Sequence, residues 1–255
     1  MAHGKRSYNT EEKPIGIETT VKRNPKYPVN ANNSLIPVNT QQITSPVTLT
    51  TNLQKISEAL TPFYYFNRSD LSNVEKQSIL EYQSDSSKIN EYLRGKYNPS
   101  ENEKIVLDQQ IERISSSFVK ENSKVPEDVN VFKGIDFDFA HILLKRGGIE
   151  DRAFLSTSFN LNDAITYAKD ANNNSSTHDG YLNLVAISLK KETKSLYLKV
   201  DGEILLDKNS HWKVTDLKEF ESLTNKTESN GFVENSKYDK VRIIFITREE
   251  GDLNE

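Results

Sequence analysis

Near Val125-Pro126 the chain changes its hydrophobic period, and that change limits the fold more than any other feature. Upstream, apolar residues recur at helical spacing. Leu53, Ile56 and Leu60 form a first run that Pro62 ends. A second begins after Ser72, which stands three residues before Glu75 as in a capping box, and continues through Ile79, Leu80 and Tyr82. A third covers Ser87 to Tyr97, with Ile89, Tyr92 and Leu93 on one face and Gly95 near its end. A fourth covers Ser100 to about Lys120, with Ile105, Leu107, Ile111, Ile114 and Phe118. Downstream the runs become short, β-branched and aromatic, which predicts strands at 129–133, 154–158, 182–189, 196–200, 203–206, 212–215 and 241–247. Two helices interrupt them, at about 137–145 and 161–171, the first ended by Gly147 as a left-handed cap. Helices first and strands later predict an α+β domain: a helical N-terminal half packed on a mixed β-sandwich of two sheets.

Composition sets the domain bounds. Residues 1–52 hold five of the eight prolines, many Asn and Thr, and six Lys or Arg against three acids, the make-up of an extended arm. Residues 53–255 then form one domain, with a helical part at 53–121 and a β core at 125–250. A formal net charge of −4 gives no sign of nucleic-acid affinity. The absence of cysteine rules out disulfides, thiolate nucleophiles and cysteine-rich zinc sites. No N-terminal apolar run predicts a signal peptide, and no stretch approaches the ~20 apolar residues of a membrane span.

Most catalytic motifs fail. His3, His141, His178 and His211 lie far apart, and none has an i, i+4 partner, so no metal site is expected. Neither phosphate-loop glycine pattern occurs, and no G-x-S-x-G elbow supports a serine triad.

Three separated pieces fit a different pattern. Val131-Phe132-Lys133-Gly134 is a strand ending in a cation and glycine. Phe154-Leu155-Ser156-Thr157-Ser158 is a strand of small polar residues, followed by Ala164 and Tyr167-Ala168. Asp201-Gly202-Glu203-Ile204-Leu205-Leu206 places an acid at the head of an apolar strand. In order and separation these resemble the mono-ADP-ribosyltransferases of the Arg/Ser/Glu class, and the helices around Ile79-Leu80-Glu81-Tyr82 and Ile89-Asn90-Glu91-Tyr92-Leu93-Arg94-Gly95 resemble the bacterial-toxin and tailed-phage branches. The resemblance spans about 60–247. Two departures stand out: Lys133 where the family has Arg, and Asp201 where arginine-specific members have Glu.

The resemblance implies NAD as substrate, cleaved at its nicotinamide–ribose bond. Glu203 becomes the catalytic carboxylate that stabilises the positive charge developing on the ribose, with Ser156 orienting it and Asp201 helping to choose the acceptor. Lys133, Gly134, Thr157, Ser158 and Tyr82 become candidates for holding NAD, and Phe159 and Tyr167 join Tyr82 as aromatics able to pack on its rings. Lysine keeps a point charge for the phosphates but loses the planar fork of arginine. Read without the resemblance, Asp201-Gly202 is a tight type I′ hairpin signal with Val200 and Glu203 flanking the reversal. That reading leaves Glu203 in place and weakens Asp201.

The expected activity is transfer of ADP-ribose to a host protein, with a lean toward arginine, in the host cytoplasm after injection or virion carriage. Two other readings stay open: an interaction or virion-associated protein with a degenerate site, whose arm binds a carrier or virion partner, and an NAD glycohydrolase in which water replaces the acceptor.

Overall fold

The structure, a computed structural model, describes residues 55–173, 179–198, 202–220 and 240–249. The arm expected at 1–52 and Asp201 lie outside the described residues.

Helix α1 (55–60) leads into short 3-10 turns at Thr61–Phe63, which Pro62 opens, and Tyr65–Asn67. Helix α2 (Asn73–Ser84) starts with the expected capping box: Ser72 Oγ accepts from Glu75 N–H, and the Glu75 carboxylate accepts from Ser72 N–H. Helix α3 (Ser87–Leu93) is shorter than the run to Tyr97, because Gly95 turns left-handed at φ 69°. Helix α4 (Glu101–Phe118) completes the helical layer. Its Leu107, Ile111, Ile114 and Phe118 pack with Ile79, Tyr82 and Ile89 of α2 and α3, and with Leu196 and Leu205 from the strands.

The strands follow: β1 (Val129–Ile135), β2 (Gly148–Asp151), β3 (Leu155–Ser158), β4 (Tyr181–Leu189), β5 (Ser195–Tyr197), β6 (Glu203–Leu206), β7 (Ser210–Phe220) and β8 (Lys240–Arg248). Helices α5 (Phe137–Arg146), ended by Gly147 at φ 71°, and α6 (Leu161–Asn173) fall where expected.

The α+β class holds, but the expectation of two separate sheets is corrected. All eight strands join in one mixed ladder of order β2-β7-β8-β4-β1-β3-β6-β5, with β4 and β8 parallel. The sandwich character survives in another form, because β1 and β3 pair only where Phe132 faces Ser158. On either side of that narrow seam the halves pack against each other: Val131, Val185, Ile187 and Ile244 share a core with Leu155, Ile204, Leu206 and Tyr197. Helix α6 covers the outer face of β1, β4 and β8 through Leu161, Ala164 and Ala168.

Candidate active site

The seam positions the site. Lys133 follows Phe132 on β1, Ser156 and Ser158 stand on β3, and across β3 the register sets Ser158 opposite Glu203 and Ser156 opposite Leu205. Alternation then puts Ser156, Ser158, Glu203 and Leu205 on the face toward the helical layer, where Leu205 packs with Tyr82 and Phe154. Glu203 is half-buried beneath the last turn of α2. Gln83 directs Nε2 at the Glu203 Oε2 (3.5 Å) and at the Leu198 carbonyl (3.3 Å), while its Oε1 accepts from the Tyr65 hydroxyl (3.5 Å).

Lys133 approaches the same place from the other side of the seam. Its ammonium donates to the Ser156 carbonyl at 3.1 Å. Burial pushes its pKa below the usual lysine value and the Arg94 charge adds to that, while Asp151 and Glu203 pull weakly the other way. Arg94, just past α3, forms a two-pronged pair with Asp151 at 3.0 and 2.8 Å, and Asp151 is only 4 % exposed. The Tyr82 hydroxyl accepts from Asn90 Nδ2 at 3.0 Å and hydrogen-bonds with the Ser156 side chain, and burial pushes its pKa up to about 12, so it stays protonated. Lys133, Ser156 and Glu203 thus lie close together where β1, β3 and β6 meet the end of α2. Two cations, Lys133 and Arg94, and two carboxylates, Asp151 and Glu203, are neighbours there, an arrangement that can set an anionic ligand beside the Glu203 carboxylate.

The other expected residues are placed as follows. Thr157 is buried and donates to the Ile204 carbonyl at 2.6 Å, bracing β3 to β6. Ser158 accepts from Asn160 N–H at 2.9 Å and donates to Asp163 at 3.3 Å. Gly134, next to Lys133 in the strand, faces the opposite side: a Cβ there would stand 2.3 Å from the Ala168 nitrogen and 2.4 Å from the Ala164 oxygen. The close approach it permits is that of α6. Tyr82 is corrected as a ring-stacking candidate, because it is 0 % exposed and packs edge-on against Phe154. Only its hydroxyl reaches the site. Phe159 is likewise core, against Tyr197 and Gly202, whereas Tyr167 is exposed on α6.

The tight hairpin is corrected too. Leu198 N–H donates to the Glu203 carbonyl at 2.9 Å and Tyr197 pairs with Ile204, so it is Leu198 that closes on Glu203, a wider reversal than a two-residue turn; Val200 lies outside the described residues. Gly202 has φ 63°, and a Cβ there would meet the Phe159 ring at 3.0 Å. Gln83, Asn90 and Asp151 received no role from the sequence, and Arg94 only a place in a helix. A capped helix ending in polar residues was the one signal pointing to Gln83.

A family model described as ADP-ribosyltransferase exoenzyme matches residues 50–240. The chain belongs to the ADP-ribosyltransferase exoenzyme family. It is accordingly an enzyme that uses NAD as the donor of ADP-ribose. Comparison with curated proteins found no match. Among solved structures it is similar to Plx2a, an ADP-ribosyltransferase toxin from Paenibacillus larvae, at 18% identity and TM-score 0.55, over 78% of this chain and 96% of that one. It is similar to BECa, the ADP-ribosylating toxin of a binary enterotoxin of C. perfringens, solved with NADH, at 18% identity and TM-score 0.54, over 79% of this chain and 48% of that one. The enzymatic component C2-I of the C2 toxin from Clostridium botulinum gives 19% identity and TM-score 0.53, over 78% and 47%. The chain thus spans about half the length of these last two. At such identities the structures share the ADP-ribosyltransferase fold. Among the described residues no group of three or more His, Asp or Glu is placed to hold a metal ion, and no helix is long and apolar enough to cross a membrane.

Proposed function

We propose that the protein is a mono-ADP-ribosyltransferase that modifies a side chain of a host protein, arginine by preference. The observation that carries this is the half-buried Glu203, held from α2 and facing Lys133 across the seam. NAD, when bound, supplies a nicotinamide–ribose bond whose cleavage leaves positive charge on the ribose. Glu203 offers that charge a fixed carboxylate, and a preorganised carboxylate in a cleft stabilises the developing charge more than the neutral sugar. Lys133 and Arg94 supply the positive charge that the diphosphate requires. Ser156, tied to Tyr82 through its hydroxyl and to Lys133 through its carbonyl, keeps β3 and the cation in register with Glu203. Asp201, two residues before Glu203, is the carboxylate assigned to recognition of the acceptor guanidinium. In this reading the enzyme works in the cytoplasm of a host, and the 1–52 arm engages what carries it there, a toxin carrier or a virion.

The test is incubation with labelled NAD and host lysate beside a Glu203→Gln protein. Glu203-dependent labelling of protein, with neutral hydroxylamine release that marks arginine adducts, supports the proposal. Nicotinamide release without protein labelling assigns a glycohydrolase instead. The absence of both, under conditions where NAD binds, rules out catalysis at this site.

A further inference from the structure

We infer that Gln83 is a positioning residue for the catalytic carboxylate, fixing Glu203 through a chain of contacts from Tyr65 to Gln83 to Glu203; this rests on the transferase reading above. The side chain sits at the mouth of the β5–β6 hairpin. Leu198 and Glu203 close that hairpin through the Leu198 N–H, and Gln83 contacts both, the Leu198 carbonyl at 3.3 Å and the Glu203 Oε2 at 3.5 Å.

Chemistry fixes which way the amide points. A backbone carbonyl only accepts, so the nitrogen end must face Leu198, and the same nitrogen then faces Glu203. The oxygen end faces the Tyr65 hydroxyl at 3.5 Å. Tyr65 is buried, its pKa is pushed up to about 12 by that burial and then by Tyr64 and Glu203, and it therefore remains a donor. The contacts are long for hydrogen bonds, as catalytic contacts often are before substrate closes the site. Their base is rigid: α2 is fixed at its start by the capping box and along its length by Ile79 and Tyr82 in the core. Gln83 bonds to the carboxylate that acts, so its effect passes through Glu203.

Two variants of the full-length enzyme test this. Gln83→Met keeps length and removes the donor; Gln83→Glu keeps shape, removes the donor and sets a second carboxylate against Glu203. Each is measured for thermal unfolding, NAD affinity, kcat for nicotinamide release and the acid limb of its pH profile. That limb is shared with the other groups facing Glu203, namely Lys133 of β1, Tyr65 and Tyr82, which are the same in all variants. The expected result is NAD affinity within about twofold of wild type, kcat lower by about tenfold in Gln83→Met and about a hundredfold in Gln83→Glu, and an acid limb moved to higher pH in Gln83→Glu. An unchanged kcat and acid limb in both variants overturns the inference, as does a crystal structure of Gln83→Met in which Glu203 keeps its rotamer. Wild-type enzyme whose nicotinamide release ignores Glu203→Gln overturns the transferase reading itself, and the two failures are thereby told apart.

Discussion

Lys133 holds its charge in a place that disfavours it. The ammonium is buried beside Arg94, and Asp151 and Glu203 only partly offset this, so the net effect is a lowered pKa. The sign for stability follows from proton linkage. Between the folded pKa and the unfolded value of 10.5 the unfolded chain binds more protons, so stability rises as pH climbs through that window. On the proposed reading NAD binding moves the opposite way, since the cation assigned to the diphosphate is lost over the same window. KM for NAD should therefore climb with pH below 10.5, and should do so less in Lys133→Arg, whose charge does not titrate. Replacing the charge altogether separates the two effects: Lys133→Met should raise Tm by about 2–4 °C while raising KM about tenfold or more. A Tm that falls in Lys133→Met would mean that the acids around the ammonium outweigh its desolvation. The place of Glu203 at the head of β6 was legible in the sequence because an acid precedes an apolar run. Gln83, 120 residues away, was not, since nothing in a linear pattern says which helix end a strand will meet.

At the level of elements, local chemistry and pairing were legible to different degrees. The start of α2 is local, a side chain three residues from its partner, and the capping box formed as the spacing implied. Glu75 does more than cap: it accepts from Ser116 of α4 at 2.7 Å and pairs with Lys120 at 3.4 Å. Ser72→Ala should consequently cost about 1–2 kcal/mol by denaturant unfolding, at the upper end for a cap, because it disturbs a contact between helices as well. The hairpin before β6 is constrained by Gly202, which combines positive φ with contact to the Phe159 ring. Gly202→Ala should lower kcat by at least about tenfold while costing about 1–3 kcal/mol, since relief of the clash moves the residue that precedes Glu203. Strand β2 escaped the sequence because Gly-Ile-Glu-Asp has neither length nor alternation, and β7 outran its expected 212–215 because Asp216, Lys218 and Glu219 read as polar. Partners decide such strands. β2 exists because Gly148 lets its backbone approach Trp212, where a Cβ would stand 2.4 Å from the Trp212 oxygen.

For the molecule as a whole, the site depends on keeping the helical layer and the sheet in one fixed relation across the seam. Apolar packing of Tyr82, Phe118 and Phe154 does part of this, but such packing is tolerant of small shifts and cannot by itself set the distance from α2 to Glu203. Beside the long contacts of Gln83, a strong directional tie is Arg94 to Asp151, from the end of α3 to the edge strand β2, next to Lys133. Asp151 also accepts from the Ala153 N–H at 3.0 Å, so the carboxylate orders the chain that enters β3 as well. Because Asp151 is almost fully buried, the loss of Arg94 alone strands a carboxylate, whereas loss of both partners does not. Arg94→Met should cost about 3–5 kcal/mol in denaturant unfolding, and Arg94→Met combined with Asp151→Asn should recover a large share of that loss. Activity should not recover with it. The double variant has lost both the guanidinium charge proposed to meet the diphosphate and the tie that holds α3 to β2, so KM for NAD should remain raised while Tm returns toward wild type. If stability and KM recover together, Arg94 acts on the fold alone, and Lys133 is left as the cation that meets the substrate.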